Sequence, residues 1–370
     1  MLPDPRPYFA DLPDPRRDTK NKLHPLNEIV MIVLCAVLSG VEDWVGMEDF
    51  AEAKEAWLRG FLTLPHGIPS HDTLSDVMGR IDPQAFAEAF QRWVQAALPS
   101  LSGEQVCLDG KTLRGSRDGE RAVHLMSAFA AQARWVLAQQ AVPDKANEIT
   151  AIPDLLSMLD LQGAVVSIDA MGCQKAIARQ IIDAGADYVL ALKDNHPTLH
   201  EDVQFYLDTE IAKGRLPVHE TVEKDHGRLE IRRYGLSAAI DWLDQKADWA
   251  GLAAVGRVES IRQSGDHIST ECRYYLCSLT EPTRFANAVR DHWGIENREH
   301  WVLDVQFGED AHRTRKDHSA ANLGLIRRLA LNLLRRQPSD KDSLRRRQRH
   351  ALLDDDYRAR LLFGASPTAT

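Results

Sequence analysis

The sequence has little that would tie it to an oxidising compartment or to a membrane. Its five cysteines among 370 residues are odd in number and form no CxxC pair, which argues against a structural zinc site and indicates a reduced intracellular environment. The longest apolar run, residues 29–38, is too short to span a bilayer, and the proline-rich charged segment before it does not resemble a signal peptide. We therefore expect a soluble cytoplasmic protein with no membrane partner.

The chain also lacks an excess of positive charge, since its formal net charge is -9. This excludes a uniformly basic coat for nucleic acid, so any contact with DNA must come from local basic patches. Three patches are present, at residues 16–22, 313–316 and 327–349. The last is the strongest, with nine Lys and Arg against two acids, although a run of charge can equally be a solvated face.

One acid lies where apolar residues are expected. Helical spacing over residues 283–305 places Phe285, Val289 and Leu303 on one side of a helix, with Glu296 among them. We therefore expect Glu296 to be buried or half-buried. A buried carboxylate is costly unless it is paired, so the pattern predicts a metal ion or a basic side chain as its partner.

Two further acids each end a short apolar run that is rich in strand-forming residues. Asp109 follows residues 105–108, and Asp169 follows residues 164–168. Either one alone could be an aspartate that ends a strand and caps the next turn. Together with Glu296 they indicate a site of oxygen ligands, which suits Mg²⁺ or Mn²⁺.

The order of the predicted elements indicates an α/β protein. The first hundred residues read as short helices, with Asn27 capping one and Ser70 capping another, and a helix pair here could be a helix-turn-helix placed on DNA or plain structure. From residue 104 the order is βββαβαβ, followed by a helix at 197–212 and a β-rich section. Hairpins at the start and helical crossovers later predict a mixed sheet.

Several long motifs stand in a fixed order along the chain. They are IPSHDTL (68–74), LDGKTLRGS (108–116), SIDAMGCQ (167–174), YVLALKDNHP (188–197), HGRLEIR (226–232) and HWGIENREHWVLDVQFGEDAHR (292–313). Over nearly its whole length the chain resembles the DDE transposases of bacterial insertion sequences, in the group that includes the H-repeat-associated proteins.

The resemblance implies a ribonuclease H-like fold, with a mixed sheet flanked by helices and a β-rich insertion before the last core helix. It implies that Asp109, Asp169 and Glu296 are the catalytic and metal-binding triad, holding two Mg²⁺ or Mn²⁺ ions roughly 3.5–4 Å apart. The segments are then an N-terminal helical domain possibly binding DNA ends (1–98), the first part of the core (99–212), the insertion (213–280), the C-terminal core helices (281–336) and a basic tail (337–370).

The chain departs from the family pattern near Glu296. Related transposases often have Arg four residues before the Glu and Lys seven after it, where this chain has His292 and Leu303. Glu299, one turn from Glu296 at the edge of the stripe, is a rival metal ligand. His300 shares the face of Glu296 and is more often a core histidine than a ligand.

Basic residues near these acids are candidates for contact with DNA phosphates. The candidates are Lys111, Arg114, Lys193, His226, Arg228, Arg232, Arg313 and Arg315. For the lysines, a solvated surface position is the alternative. The expected partners are double-stranded DNA, both as terminal inverted repeats and as target, and a second copy of the chain in the DNA complex; the protein would be on the nucleoid when bound.

Two other functions fit much of the same pattern. One is a ribonuclease H-like nuclease that cuts but does not join, and the other is a domesticated DNA-binding protein. A phosphate-binding loop at Gly110–Lys111–Thr112 is excluded, because the glycine required five residues before Gly110 is Gln105.

Overall fold

The structure is a computed structural model that describes residues 2–20, 22–118, 122–142, 148–225, 228–335 and 341–364. The chain divides into two compact units. The first contains Met1–Ser100, Gly110–Asn147 and Glu296–Thr370, and the second contains Leu101–Asp109 and Glu148–Ile295. The N-terminal helices, predicted as a segment of their own, thus belong to one unit with the C-terminal helices.

The helices are mostly short. In chain order they are α1 (Arg6–Ala10), α2 (Leu26–Leu38), α3 (Trp44–Ala53), α4 (Glu55–Leu58), α5 (His71–Arg80), α6 (Pro83–Ala97), α7 (Glu148–Ser157), α8 (Lys175–Asp183), α9 (Pro197–Ala212), α10 (Pro282–His292), α11 (Trp301–Phe307), α12 (Ser319–Arg335), α13 (Leu344–Leu353) and α14 (Asp355–Phe363).

Side-chain caps explain where several of these helices begin. Ser70 accepts a hydrogen bond from the Thr73 backbone N–H, so the predicted cap of α5 is confirmed. The predicted cap at Asn27 is wrong. The helix α2 begins one residue earlier, because Pro25 sets the backbone for helix entry and leaves Asn27 inside the first turn.

The strands form a mixed sheet, as predicted. They are β1 (Gln105–Thr112), β2 (His124–Ala130), β3 (Trp135–Val142), β4 (Val165–Ile168), β5 (Asp187–Leu192), β6 (Val218–Asp225), β7 (Arg228–Ser237), β8 (Ala254–Ser264) and β9 (His267–Cys277). Their hydrogen-bonded order is β3-β2-β1-β4-β5-β9-β8-β7-β6. The pairs β1–β4 and β4–β5 are parallel, while β2–β3 and all pairs from β5–β9 to β7–β6 are antiparallel.

The β-rich section between α9 and α10 is the antiparallel meander β6 to β9. One of its faces packs against α10, where Phe285 is buried with Tyr275 and Val258. Gly256 allows this close approach, because a Cβ atom at that position would lie 2.4 Å from the Phe285 ring. The meander therefore continues the second unit's part of the sheet and shares a core with the helix that leads to Glu296.

The C-terminal segment that we predicted as a basic tail is folded over residues 344–363. The helices α13 and α14 lie there, and Arg358 of α14 is fully buried with its guanidinium 3.9 Å from the Trp57 ring centroid. Lys54 forms an ion pair with Asp355 at 2.9 Å. These contacts attach the segment to the N-terminal helices of the first unit.

Among the described residues, no helix combines the length and apolar character that crossing a membrane would require.

Candidate active site

Asp109 and Asp169 lie on neighbouring parallel strands. The register pairs Leu108 of β1 with Ile168 of β4, so each aspartate is the next residue after a paired position. Asp109 lies inside β1, which continues to Thr112, and Asp169 follows the end of β4 directly. Both are half-buried. The prediction that strands deliver both acids is confirmed, although β1 runs further than its apolar segment suggested.

Asp169 also caps the turn that follows it. Its Oδ1 accepts a hydrogen bond from the Met171 backbone N–H at 3.1 Å, so the turn-capping alternative holds for this residue as well. Burial raises the pKa of the Asp169 carboxyl, and the nearby Glu148 raises it further, whereas Lys193 lowers it. The charged carboxylate is therefore under-compensated, and a cation beside it would stabilise it.

The loop after β5 holds the turn after Asp169 in place. Asn195 donates from Nδ2 to the Ala170 carbonyl at 2.8 Å. The His196 Nε2 lies 2.7 Å from the Cys173 carbonyl. Both belong to the motif YVLALKDNHP, in which we had singled out only Lys193. Side-chain amide bonds to a neighbouring turn explain why a polar pair follows this strand.

A polar bridge connects the two aspartate-bearing strands to α10. Gln105 of β1 donates from Nε2 to the Ser167 hydroxyl of β4 at 2.9 Å and to the Ala288 carbonyl of α10. The Ser167 hydroxyl is also 3.0 Å from Nδ1 of His292. His292 occupies the place where related transposases often have Arg, and here it fixes the end of α10 against β4.

His292 should make the protein less stable in acid. Burial lowers its pKa from 6.5 to about 4, so the unfolded chain binds a proton that the folded chain refuses. The contribution of this histidine is complete above pH about 6.5 and is lost as the pH falls towards 4, by up to about 3 kcal/mol. Urea unfolding between these pH values should show a weaker pH dependence for His292→Asn than for the parent protein. Equal slopes would show that His292 is not the group responsible.

Glu296 lies on a π-helical turn, Glu296–His300, between α10 and α11. The predicted helix over 283–305 is thus interrupted, because α10 ends at His292. The prediction that Glu296 is buried is wrong, since its side chain is 64% exposed. The wider π turn shifts the angular positions of the residues after it, so a stripe projected at 100° per residue misplaces the residues beyond the break.

His300 orients the Glu296 carboxylate. Its Nδ1 is 2.9 Å from Oε2 of Glu296, and the His300 side chain is buried beneath it. This hydrogen bond is the main reason why the pKa of Glu296 is lowered, with Lys111 and Arg114 adding to the effect. Glu296 is therefore a charged, exposed carboxylate on a fixed base.

Glu299 is fully buried, so its predicted place at the edge of the stripe is wrong. Its Oε1 accepts from Nε of Arg328 at 3.1 Å. Arg328 also donates to Glu309 at 2.8 Å, and Lys111 donates to the same Glu309 carboxylate at 3.0 Å. Burial alone would raise the pKa of Glu309, but Arg328, Lys111 and Arg327 hold it down to about 2. We call Glu299, Arg328, Glu309 and Lys111 the buried charge cluster.

The predicted DNA-contact residues differ in how available they are. Lys111 is buried in the cluster, so the alternative of a solvated surface lysine is wrong for it. Arg232 is ion-paired to Glu223 and Glu230. His226 lies outside the described residues. The exposed members of the set are Arg114, Lys193, Arg228, Arg313 and Arg315.

The basic run at 327–349 is only partly a surface. Arg327, Arg328 and Arg347 are buried, and Arg335 donates to the Arg298 carbonyl. Residues 336–340 lie outside the described ranges. The prediction of a strong basic patch here is therefore wrong for at least three of its arginines, which serve the interior of the first unit instead.

Sequence reasoning missed Arg328 and Glu309. A signal was present, because Arg328 lies at helical spacing with Leu325, Leu329 and Asn332, all of which are buried in α12. An arginine in such a stripe needs a buried acid as a partner. The same argument that we applied to Glu296 would have identified it.

Side chains able to bind a metal ion occur at Asp109, Glu296 and His300. The first of these ends one part of the second unit, and the other two belong to the first unit. Carboxylate oxygens suit Mg²⁺ and Mn²⁺, whereas imidazole nitrogen is more typical of zinc and later transition metals. The nitrogen of His300 nearer to Glu296 already forms a hydrogen bond with that acid.

The sheet order, with β1, β4 and β5 parallel and β2 and β3 antiparallel beside them, and acids on β1 and β4, defines a ribonuclease H-like α/β protein. A family model described as transposase DDE domain matches residues 101–333, and one described as DDE_Tnp_1-associated matches residues 7–94. The chain therefore belongs to the family of DDE-domain transposases, which confirms the resemblance found in its motifs.

Individual relatives agree with this assignment. "Putative transposase YncI" of Escherichia coli O157:H7 is 38% identical over 97% of this chain and 94% of its own length. "H repeat-associated putative transposase YhhI" of Escherichia coli K12 is 37% identical over 97% of each chain. "Uncharacterized protein in dhlA 3'region" of Xanthobacter autotrophicus is 51% identical over 76% of this chain and 96% of its own length. A cryo-EM structure of a piggyBac transposase synaptic complex with hairpin DNA aligns with a TM-score of 0.46 at 11% identity, covering 98% of this chain and 82% of that one.

Proposed function

We propose that this protein cuts DNA at the ends of an insertion sequence and joins the freed ends to target DNA, with Asp109, Asp169 and Glu296 as the catalytic carboxylates. The register of β1 and β4 carries the proposal, because it gives Asp109 and Asp169 equivalent positions on adjacent parallel strands. Glu296 follows directly after Ile295, the last residue of the unit that holds both aspartates. All three lie within the matched DDE region.

Two Mg²⁺ or Mn²⁺ ions fit this set of residues. The donors are carboxylate oxygens, and the raised pKa of Asp169 is the behaviour of an acid that lacks a neighbouring cation. We assign Asp109 to both ions and Asp169 and Glu296 to one each. Such a pair of ions, when bound, activates the attacking water and stabilises the leaving 3′-oxygen, and serves the 3′-OH in strand transfer in the same way.

The protein's own residues then hold the acids and the DNA in place. Gln105, Ser167 and His292 fix the strands that carry the aspartates, and His300 fixes the Glu296 carboxylate. Exposed arginines and lysines would bind phosphates and set the register of the duplex. We propose this role for Arg114, Lys193, Arg228, Arg313 and Arg315. Lys111 and Arg232 would first have to exchange a carboxylate for a phosphate.

Strand transfer tests the proposal. Purified protein incubated with DNA carrying the inverted repeats that flank its coding region, target DNA and Mg²⁺ should give cleaved ends and joined products. Replacing Mg²⁺ by a chelator should abolish both products while leaving the binding of the ends, measured by gel shift, within about twofold, because phosphate contacts do not need the ions. Cleavage without joining would favour the nuclease alternative. Binding without either reaction would favour the domesticated one.

Joining two ends requires that they be held together. We therefore propose that two copies of the chain pair the element's ends in the DNA complex, which makes the active species at least a homodimer on double-stranded DNA.

A further inference from the structure

The π-helical turn that carries Glu296 is held from beneath by buried arginines of α12. Arg328 donates to the Glu299 carboxylate, and Arg335 donates to the backbone carbonyl of Arg298. Arg298 in turn donates to the carbonyl of Ala131, in the turn between β2 and β3. Two consecutive residues of the π turn are thus bonded to α12, and one of them is also bonded to the β-hairpin.

Arg328 is suited to fix the turn because it has little freedom of its own. Its side chain is fully buried, and besides Glu299 and Glu309 it bonds to the Gly324 carbonyl at 3.1 Å and to the Ser127 hydroxyl at 3.3 Å. A planar guanidinium with this many partners can be satisfied in very few orientations. Glu299 is therefore held in one place relative to α12, and the turn is held with it.

The position of Glu299 within the turn gives this contact a consequence for Glu296. The two glutamates are three residues apart on a five-residue turn, with Glu296 exposed and Glu299 buried. A π turn is an uncommon conformation that persists where the surroundings enforce it, and such turns often occur at functional sites. Loss of the buried contact would free the turn to relax towards an α-helical one, which would rotate Glu296.

We propose that Arg328 and Glu299 are positioning residues that hold Glu296 in its metal-binding orientation. This inference rests on the proposed function of Glu296 as a metal ligand. Neither residue touches metal or DNA; each acts through the backbone of the π turn. Glu299 is then a support of the metal site and not a ligand in it. Residues in this supporting role typically change metal affinity by 10–100-fold when they are replaced.

The test compares Glu299→Leu with Glu299→Gln. The leucine variant removes the acceptor for Arg328, which keeps Glu309 as its counter-charge. The glutamine variant removes the charge and keeps an oxygen for the same hydrogen bond. Mn²⁺ binding is measured on the full-length protein without DNA, by the electron paramagnetic resonance signal of free Mn²⁺, at a temperature where circular dichroism shows the variant to be folded. Glu88→Leu, which removes an exposed carboxylate on α6, is the matched control.

We expect Glu299→Leu to weaken Mn²⁺ binding by about tenfold and to raise the Mg²⁺ concentration for half-maximal cleavage by a similar factor. Glu299→Gln should stay within about threefold of the parent protein, and Glu88→Leu should be unchanged. Parental Mn²⁺ affinity in folded Glu299→Leu would overturn the inference and leave the contact a structural one. If Glu299→Leu does not fold, Arg328→Lys takes its place under the same criteria, because lysine keeps the charge but loses the fork that spans both glutamates.

The inference and the proposed function fail in different ways. A parent protein that neither binds Mn²⁺ nor cleaves DNA ends refutes the proposed function. A parent protein that does both, with a folded Glu299→Leu that matches it, refutes only the role of Arg328 and Glu299.

Discussion

Asp109→Asn should reduce cleavage of DNA ends by at least about a thousandfold while leaving the binding of those ends nearly intact. The substitution keeps the shape of the side chain and removes the negative charge that we assign to both metal ions. Loss of about 4 kcal/mol of transition-state stabilisation corresponds to that factor. The measurement is single-turnover cleavage of end DNA in Mg²⁺, with gel-shift titration of the same DNA.

Asp18→Asn provides the matched control, because the Asp18 side chain is 99% exposed. It should cleave at the parental rate. Cleavage by Asp109→Asn within tenfold of the parent would remove Asp109 from the mechanism and with it the assignment of the triad. Loss of end-binding together with cleavage would instead show that the substitution disturbs β1, which circular dichroism would reveal.

The strand-borne acids could be predicted from the sequence because their signal is local. An apolar run that ends in an aspartate needs no knowledge of the partner strand, and β1 and β4 lie where the runs predicted them. The family's motifs then supplied the topology that a single run cannot, namely which of the runs lie side by side. The parallel register of Leu108 and Ile168 agrees with that expectation.

The burial of the two glutamates could not be predicted in the same way. Projection at a constant 100° per residue assumes one uninterrupted helix, whereas α10 ends at His292 and a π turn follows. No residue in 292–296 is a proline that would announce the break. The projection therefore buried Glu296 and placed Glu299 at the edge, and the structure has the reverse, with Glu296 exposed and Glu299 fully buried.

The charge run at 327–349 misled for a related reason. Counting Lys and Arg along the chain treats every one of them as solvated, but α12 is buried along nearly its whole length and takes Arg327 and Arg328 inside with it. Buried arginines require buried acids, and those acids, Glu299 and Glu309, come from residues before α12 in the sequence. Only the fold brings such pairs together.

Arg328→Met should be the most destabilising single substitution that the buried charge cluster offers. It leaves Glu299 and Glu309 buried with only Lys111 in hydrogen-bond contact with either of them, at 3.0 Å from Glu309. Removal of one partner from a buried ion pair typically costs 3–5 kcal/mol, because the remaining charge stays desolvated. We expect a loss of about 4 kcal/mol in the free energy of unfolding, measured by urea denaturation at neutral pH.

Two comparisons separate this charge effect from the loss of a long side chain. Arg346→Met removes an arginine that is 65% exposed and paired to Asp342, and it should change stability by less than about 0.5 kcal/mol. The double variant Glu299→Leu/Arg328→Met removes both charges of one pair, and it should recover part of the lost stability, since apolar replacements of a buried pair are often tolerated. A loss below about 1 kcal/mol for Arg328→Met alone would mean that the two glutamates take up protons or reach water without it.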